Sequence, residues 1–327
     1  MTYLVWEGST MNISLRYFLV VAEEMSISRA AEKLFVTQQC ISSHIKKLEQ
    51  LYQAELFIRR PTFQLTPEGQ ALQRNLLRQR ILEDALSDEL EELKAQRINR
   101  IRLGIHNTRA SILLPAVIRD FRREFPNVLI EIYQGNTSTF ETLLLDGKLD
   151  IFLATDTAEL PEFRCTFLQR EPIFLVSSAS FLKDHGMEST ITSHTISPSL
   201  ISRFSFISSP ENSYLQSKID NWLLKQKISI QKQIVVGTYQ IQLMLAAQNV
   251  GACFCPQMFL KMVHELNQNI SENDRLVPLL VDGFDLSTEL SIITHRDAYQ
   301  SIVLQRFSEI FQQAISLSLS KNVQQSM

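Results

Sequence analysis

The stretch QQCISSHIK, residues 38 to 46, gathers Gln38, Gln39, Ser42, Ser43 and Lys46 with no carboxylate among them. These side chains suit the edge of a base pair. A glutamine amide can pair with the N6 and N7 edge of adenine, a serine can donate or accept, and a lysine reaches a guanine edge or a phosphate. At 100° per residue, Gln39, Ser42, Ser43 and Lys46 centre on the side opposite Ile41, Ile45, Leu48 and Tyr52, so one helix would bury one face and present the other. Thr37 stands where an N-cap is needed. Ser28 and Arg29 before this stretch, and Arg59, Arg60 and Thr62 after it, are candidates for the nucleic-acid backbone or the minor groove.

A second set of polar residues follows apolar runs further on. His106, Asn107, Thr108 and Arg109 come after RIRLGI, and Asn136 and Thr137 come after VLIEIY. Ser208 and Ser209 follow Phe204 to Ile207, and Thr238 and Tyr239 follow Ile234 to Val236. In a parallel sheet such positions lie beyond the carboxyl ends of strands, where small ligands bind. Arg109 beside a helix N-terminus would favour a carboxylate or phosphate. For each of these residues, solvation or helix capping is the plainer alternative.

The elements that must position these residues can be read from periodicity. Leu15, Phe18, Leu19 and Ala22 form one helical stripe, and Ile27, Ala30, Ala31 and Leu34 a shorter second one. The two alanines let helices cross closely. With the helix after Thr37 this makes a helix-turn-helix. LFIRRPTFQL, residues 56 to 65, reads as a hairpin with Leu56 and Ile58 on one strand, Phe63 and Leu65 on the other, and Arg59, Arg60 and Pro61 at its tip. Residues 26 to 65 hold six basic side chains against three acidic ones, so this segment is net +3 while the whole chain is −3. A basic module on an acidic body points to a polyanion partner.

Those residues carry a family resemblance. Leu15-x-Tyr17-Phe18, Ala30-Ala31-x-x-Leu34, Val36-Thr37-Gln38, Ser42, Ile45-x-x-Leu48-Glu49, Leu56-Phe57-x-Arg59 and Leu65-Thr66-x-x-Gly69 resemble, in order and spacing, the winged helix-turn-helix of LysR-type transcriptional regulators. Two positions depart from the family. Gln39 and Cys40 stand where proline and alanine are usual, which bears on base preference, and Met25 stands where glycine is usual. Met11-Asn12-Ile13 is similar to the family's start, so residues 1–10 are either an N-terminal extension or the product of a start assigned too early. The winged domain is then 11–66.

Thr66, Pro67 and Glu68 mark a helix start, and no further proline or glycine interrupts the chain after Gly69 until Gly104. Leu72, Leu76, Leu82, Leu86, Leu90 and Leu93 run along it. Such a stripe, over 67–98, asks for the same helix of a second copy. The resemblance implies the same linker helix, and it alone suggests homodimers pairing into homotetramers. Two reading heads address a dyad operator in double-stranded DNA.

From residue 99 onward strands and helices alternate: Ile101 to Ile105, a helix after Ser111, Val128 to Tyr133, a helix near Phe140 to Leu145, and Ile151 to Ala154. This predicts an α/β fold with a mainly parallel sheet. FLQREPIFLVSS and RLVPLLVDGFDLSTELSIIT are candidates for the crossings between two lobes, about 99–168 with 267–317 and about 169–266. The segment 99–327 resembles the family's effector-binding domain, a two-lobed fold like a periplasmic binding protein. Its landmarks are Leu113-Leu114-Pro115, Phe125-Pro126-x-Val128, Gly147-x-Leu149-Asp150, and Gly251 with Pro256. Asn249 stands where glycine is frequent, and asparagine tolerates a left-handed backbone. A polar tail follows about Ser318.

Composition closes off other classes. With 45% hydrophobic residues in 327, the chain can fill two or three domains. Cys40, Cys165, Cys253 and Cys255 form no Cys-x-x-Cys pair and read as reduced thiols, the last two on one face of a buried strand. There is no membrane span and no secretory signal layout, which predicts a cytoplasmic protein. Gly-x-Ser-x-Gly, a phosphate-binding glycine loop and His-x-x-x-His are absent, so neither an enzyme nor a cofactor or metal is expected. A cytoplasmic binding protein or an enzyme using the cleft, and a helix-turn-helix that contacts only protein, are the alternatives to a DNA-binding regulator with a small-molecule effector. For such a regulator RNA polymerase is a further candidate partner.

Overall fold

A computed structural model describes residues 11–94, 100–157, 159–211 and 213–326, with side chains to 317. Residues 1–10 and 95–99, which include the proposed extension and the end of the linker, lie outside the described residues. The rest falls into two compact units, one of residues 11–94 with 141–150 and 295–301, the other of 100–140, 151–294 and 302–326.

The first unit opens with three helices, α1 (Ile13–Glu24), α2 (Ile27–Leu34) and α3 (Gln38–Tyr52), then a hairpin of β1 (Phe57–Ile58) and β2 (Gln64–Leu65), then α4 (Pro67–Leu93). Each of the first four helices is capped by its own sequence. Asn12, Ser26, Thr37 and Thr66 accept hydrogen bonds from the amides of Ser14, Arg29, Cys40 and Gly69, which satisfies donors that a helix start otherwise leaves free. α1 ends on Met25 with φ of 46°, the left-handed backbone for which glycine is better suited. Phe18, Ala22, Ala30, Ala31, Ile41, Ile45 and Leu48 form one buried core with Leu56, Phe57 and Leu76. Tyr52 departs from the predicted stripe. It is 47% exposed, because α3 reaches past the core at its last turn. In the hairpin, Leu56 and Phe57 are the buried pair and Ile58 is half-buried, with Phe57 stacked on Phe63 at 5.0 Å between centroids. Gly69 lies so close to the Leu56 carbonyl that a β-carbon would sit 2.1 Å from it, so the start of α4 is locked against the hairpin. Elsewhere in this unit Glu23 is bridged by Lys33 at 3.0 Å and Lys148 at 2.6 Å.

The second unit begins β3 (Arg100–Gly104), α5 (Asn107–Glu124), β4 (Leu129–Tyr133), α6 (Thr137–Leu145, shared with the first unit) and β5 (Ile151–Thr155). The long strand β6 (Phe163–Ser178) follows, then α7 (Ala179–Asp184), α8 (Glu188–Ser193), β7 (Thr195–Ile196), α9 (Pro198–Ile201) and β8 (Ser205–Ser208). α10 (Tyr214–Lys225), β9 (Gln231–Val235), α11 (Tyr239–Ala247), β10 (Cys253–Pro256), a 3-10 turn over Gln257–Phe259 and α12 (Leu260–Asn267) come next. β11 (Leu276–Val281), β12 (Ser287–His295) and α13 (Ile302–Ser326) complete it. β4, β3 and β5 are parallel neighbours, β12 lies antiparallel beside β5, and β6 joins β12 to β11 and β10. The sheet is therefore mixed, not mainly parallel as the alternation suggested. β8 and β9 form a separate parallel pair.

Among the described residues, three cores fill this unit. One gathers Ile101, Leu103, Val117, Phe121, Leu153, Leu290 and Phe307; a second gathers Leu175, Phe204, Phe206, Trp222, Phe254 and Leu279; a third gathers Val176, Ile207, Leu243, Cys253, Cys255 and Phe259. Cys253 and Cys255 are buried on β10, and burial pushes the Cys253 thiol up to about 12. Asn249 has φ of 63°, the left-handed backbone expected of it, and its amide oxygen accepts from Ser178 Oγ at 2.7 Å. Among the described residues no helix is long and apolar enough to cross a membrane, and no His, Cys, Asp and Glu group could hold a metal ion.

Candidate nucleic-acid interface and strand-end site

α3 buries Ile41, Ile45 and Leu48, and this burial fixes what its other side presents. Gln38, Gln39, Ser43 and Lys46 are exposed and Ser42 is half-buried. None of the five has a hydrogen-bond or ionic partner among the described residues. Thr37 is exposed but already caps α3, its Oγ1 3.2 Å from Cys40 N. Arg29 is held at Glu24, both on its carbonyl and 3.7 Å from its carboxylate, and Arg59 lies 3.7 Å from Glu49. At such exposed sites these pairs are worth about 0–1 kcal/mol, weak enough for a phosphate to displace them. Ser28, Arg60 and Thr62 are exposed beside them.

The polar residues of the second unit are organised differently from the prediction. α5 starts at Asn107, before the predicted helix, so His106 is its N-cap position and Asn107, Thr108 and Arg109 form its first turn. Thr137 likewise opens α6, Ser208 closes β8, and Thr238 and Tyr239 are the N-cap position and first residue of α11. Asn136 caps α6, its Oδ1 accepting from Thr139 N at 2.9 Å. Asn107 Oδ1 accepts from Gln134 at 3.1 Å, which joins the ends of β3 and β4. Ser209 Oγ accepts from the buried Gln242 at 3.0 Å, which joins β8 to α11.

Arg109 carries the main correction. It is not an open guanidinium awaiting an anion, because its charge is met within the chain. Its Nη2 lies 2.8 Å from Glu171 Oε2, its Nη1 donates to Met258 Sδ at 3.4 Å, and its guanidinium carbon sits 5.3 Å from the Phe259 ring centre. Glu171 is fully buried on β6. Its carboxylate also accepts from Met258 N at 2.6 Å and Thr288 Oγ1 at 3.2 Å. Phe259 stacks on Tyr239 at 4.5 Å, so α5, β6, β12 and α11 meet at one node. Burial, with the Cys255 thiol beside it, holds the Tyr239 phenol protonated, well above the ordinary tyrosine range.

A second ion pair joins the residue after β5 to α10. Lys218 Nζ lies 3.0 Å from Asp156 Oδ1 and 5.0 Å from the Tyr214 ring centre. Glu171, Asp156, Lys218 and Thr288 were not singled out from sequence. A signal existed for two of them, since Glu171 is an acid inside an apolar strand and Asp156 directly follows one. An open cavity of about 400 Å³ lies among Lys183, His194, His264 and Arg275, but it contains none of the strand-end residues. Its two fixed cations are engaged locally, Lys183 with Asn273 and Arg275 with Glu272.

Comparison with known proteins identifies the family. Residues 14–70 match the bacterial regulatory helix-turn-helix protein family, lysR family, and residues 94–316 match the LysR substrate binding domain. Over 306 residues the chain is 23% identical to the HTH-type transcriptional regulator YtlI of Bacillus subtilis, covering 92% of this chain and 94% of that protein. ArgP from Mycobacterium tuberculosis has a similar fold, with a TM-score of 0.65 at 20% identity over 94% of this chain and 98% of that one. Full-length CbnR in complex with its target DNA also aligns, with a TM-score of 0.54 at 17% identity over 92% and 98% of the two chains. With both family models matched, and the second alone spanning more than half of the sequence, the chain belongs to the LysR family of DNA-binding transcriptional regulators.

Proposed function

We propose that α3 reads base edges in the major groove through Gln38, Gln39, Ser42, Ser43 and Lys46. Arg59, Arg60 and Thr62 of the hairpin, with Ser28, Arg29 and Thr37, hold the backbone or the minor groove. The observation that carries this reading is the row of exposed, unpartnered side chains opposite the buried Ile41, Ile45 and Leu48. Residues 11–66 act as the reading head, 67–98 as the linker and 99–327 as the effector domain, with one lobe around the core of Ile101 and Phe307 and the other around the cores of Leu175 and Val176. Leu82, Leu86, Leu90 and Leu93 are exposed on α4, and a second copy of that helix is the partner we assign to them. Dimers would pair further into tetramers. The CbnR complex is with target DNA, and a dyad operator is the corresponding target here. The protein acts in the cytoplasm, with a small molecule at the strand ends shifting the arrangement of the paired heads by its preference for one state.

The test is selection of random duplexes by the purified full chain at physiological salt. The expected result is enrichment of a dyad whose half-sites are whole helical turns apart. Retention of DNA without enrichment of any sequence would contradict the reading.

A further inference from the structure

Two ion pairs, Arg109 with Glu171 and Lys218 with Asp156, lie in the second unit, and they are not equivalent. Arg109 and Glu171 are mutually neutralised, and both carboxylate oxygens of Glu171 receive donors. An incoming anion therefore finds no free guanidinium there. Asp156 is different. Its backbone amide donates to Glu289 O at 2.9 Å, and its Oδ1 accepts from Glu289 N and lies beside Lys218 Nζ, both at 3.0 Å. Oδ1 thus has one hydrogen-bond donor and a cation beside it, whereas Oδ2 is buried and has no hydrogen-bond donor among the described residues. The side chain is only 7% exposed. Leaving a buried charged acceptor without a donor is unfavourable, and an ionised carboxylate can only accept. Asp156 follows β5, which is parallel to β3 and runs three residues past the Gly104–Phe152 pairing, so Asp156 lies beyond a strand's carboxyl end, the position where ligands bind in such folds.

We infer that Asp156 Oδ2 is the acceptor that reads the effector, and that the effector presents a nitrogen donor, an ammonium or guanidinium N–H, to it. A cationic donor makes the stronger bond to a carboxylate. One carboxylate between two cations has a precedent in this chain, where Glu23 lies between Lys33 and Lys148. The inference rests on reading the strand ends as the effector site. It makes the effector a nitrogen base, and it excludes a simple carboxylate held by Arg109.

Calorimetry and thermal melting of the full chain with butylamine and agmatine, against butyltrimethylammonium and pentanoate, test this directly. The expected result is binding of the first two, with at least a tenfold loss for the trimethylated cation, which keeps the charge but has no N–H. Asp156→Asn, which retains an acceptor for Lys218 and places an amide donor at the second position, should weaken butylamine and agmatine at least tenfold. The comparison among probes on the unaltered protein stands even where that variant fails to fold. Equal binding of the trimethylated cation would overturn the inference. Binding of pentanoate alone would overturn it while leaving an effector site in place. Binding of none of the four would overturn both, without touching the DNA-reading assignment, which duplex selection tests separately.

Discussion

At the scale of single residues, the decisive fact is how each charge is met. Arg109 has 5% exposure and Glu171 none, and four elements converge on the pair. Removing one member of such a pair strands the other away from water, at a cost of about 3–5 kcal/mol. Glu171→Ala should therefore lower the free energy of unfolding by about that amount in urea denaturation. A loss below about 1 kcal/mol would mean that the pair is not desolvated as described. Sequence pointed to Arg109 but supplied the wrong partner. Nothing local links residue 109 to residue 171, and only the fold of β6 against α5 brings them together. The exposed polar face of α3 was legible for the opposite reason, because the 3.6-residue period that buries Ile41, Ile45 and Leu48 must expose Gln39, Ser43 and Lys46.

At the scale of elements, caps and periods were the most legible features. Thr37 and Thr66 cap α3 and α4, and Asn249 takes the left-handed backbone its type permits. Met25 takes the same conformation without glycine's freedom, which explains physically why glycine is usual there. The start of α5 was read too late because His106, Asn107, Thr108 and Arg109 look like loop polarity, although the helix begins with them. Tyr52 fits the α3 stripe by period yet lies beyond the core, since period alone does not say where a neighbouring surface ends. The exposed leucines of α4 lead to a prediction at this scale. Leu86 is 57% exposed, and burying that remaining surface on a second copy contributes about 1–1.5 kcal/mol in each subunit, with the desolvation of an introduced carboxylate adding to the loss. Leu86→Glu should raise the dimer dissociation constant by about a hundredfold or more in sedimentation experiments, with little change in the melting of the monomer. An unchanged dissociation constant would place the dimer contact elsewhere.

At the scale of the whole molecule, a chain of net charge −3 carries a segment of net +3, and if that segment meets the DNA as proposed, affinity and specificity should separate by residue. The segment was legible because charge and periodicity coincide over residues 26 to 65, whereas the buried node around Arg109 joins residues more than a hundred positions apart, such as Glu171 and Thr288. The measurement closest to the central claim is the affinity of the unaltered protein, Gln39→Ala and Arg60→Ala for the selected duplex and its single-base-pair variants, over a range of salt. Gln39→Ala should lose discrimination at one base pair by about 1–3 kcal/mol with its salt slope intact. Arg60→Ala should weaken all duplexes alike and lower the slope by about one. If Gln39→Ala kept the full base preference of the unaltered protein, α3 would not read the operator through this face.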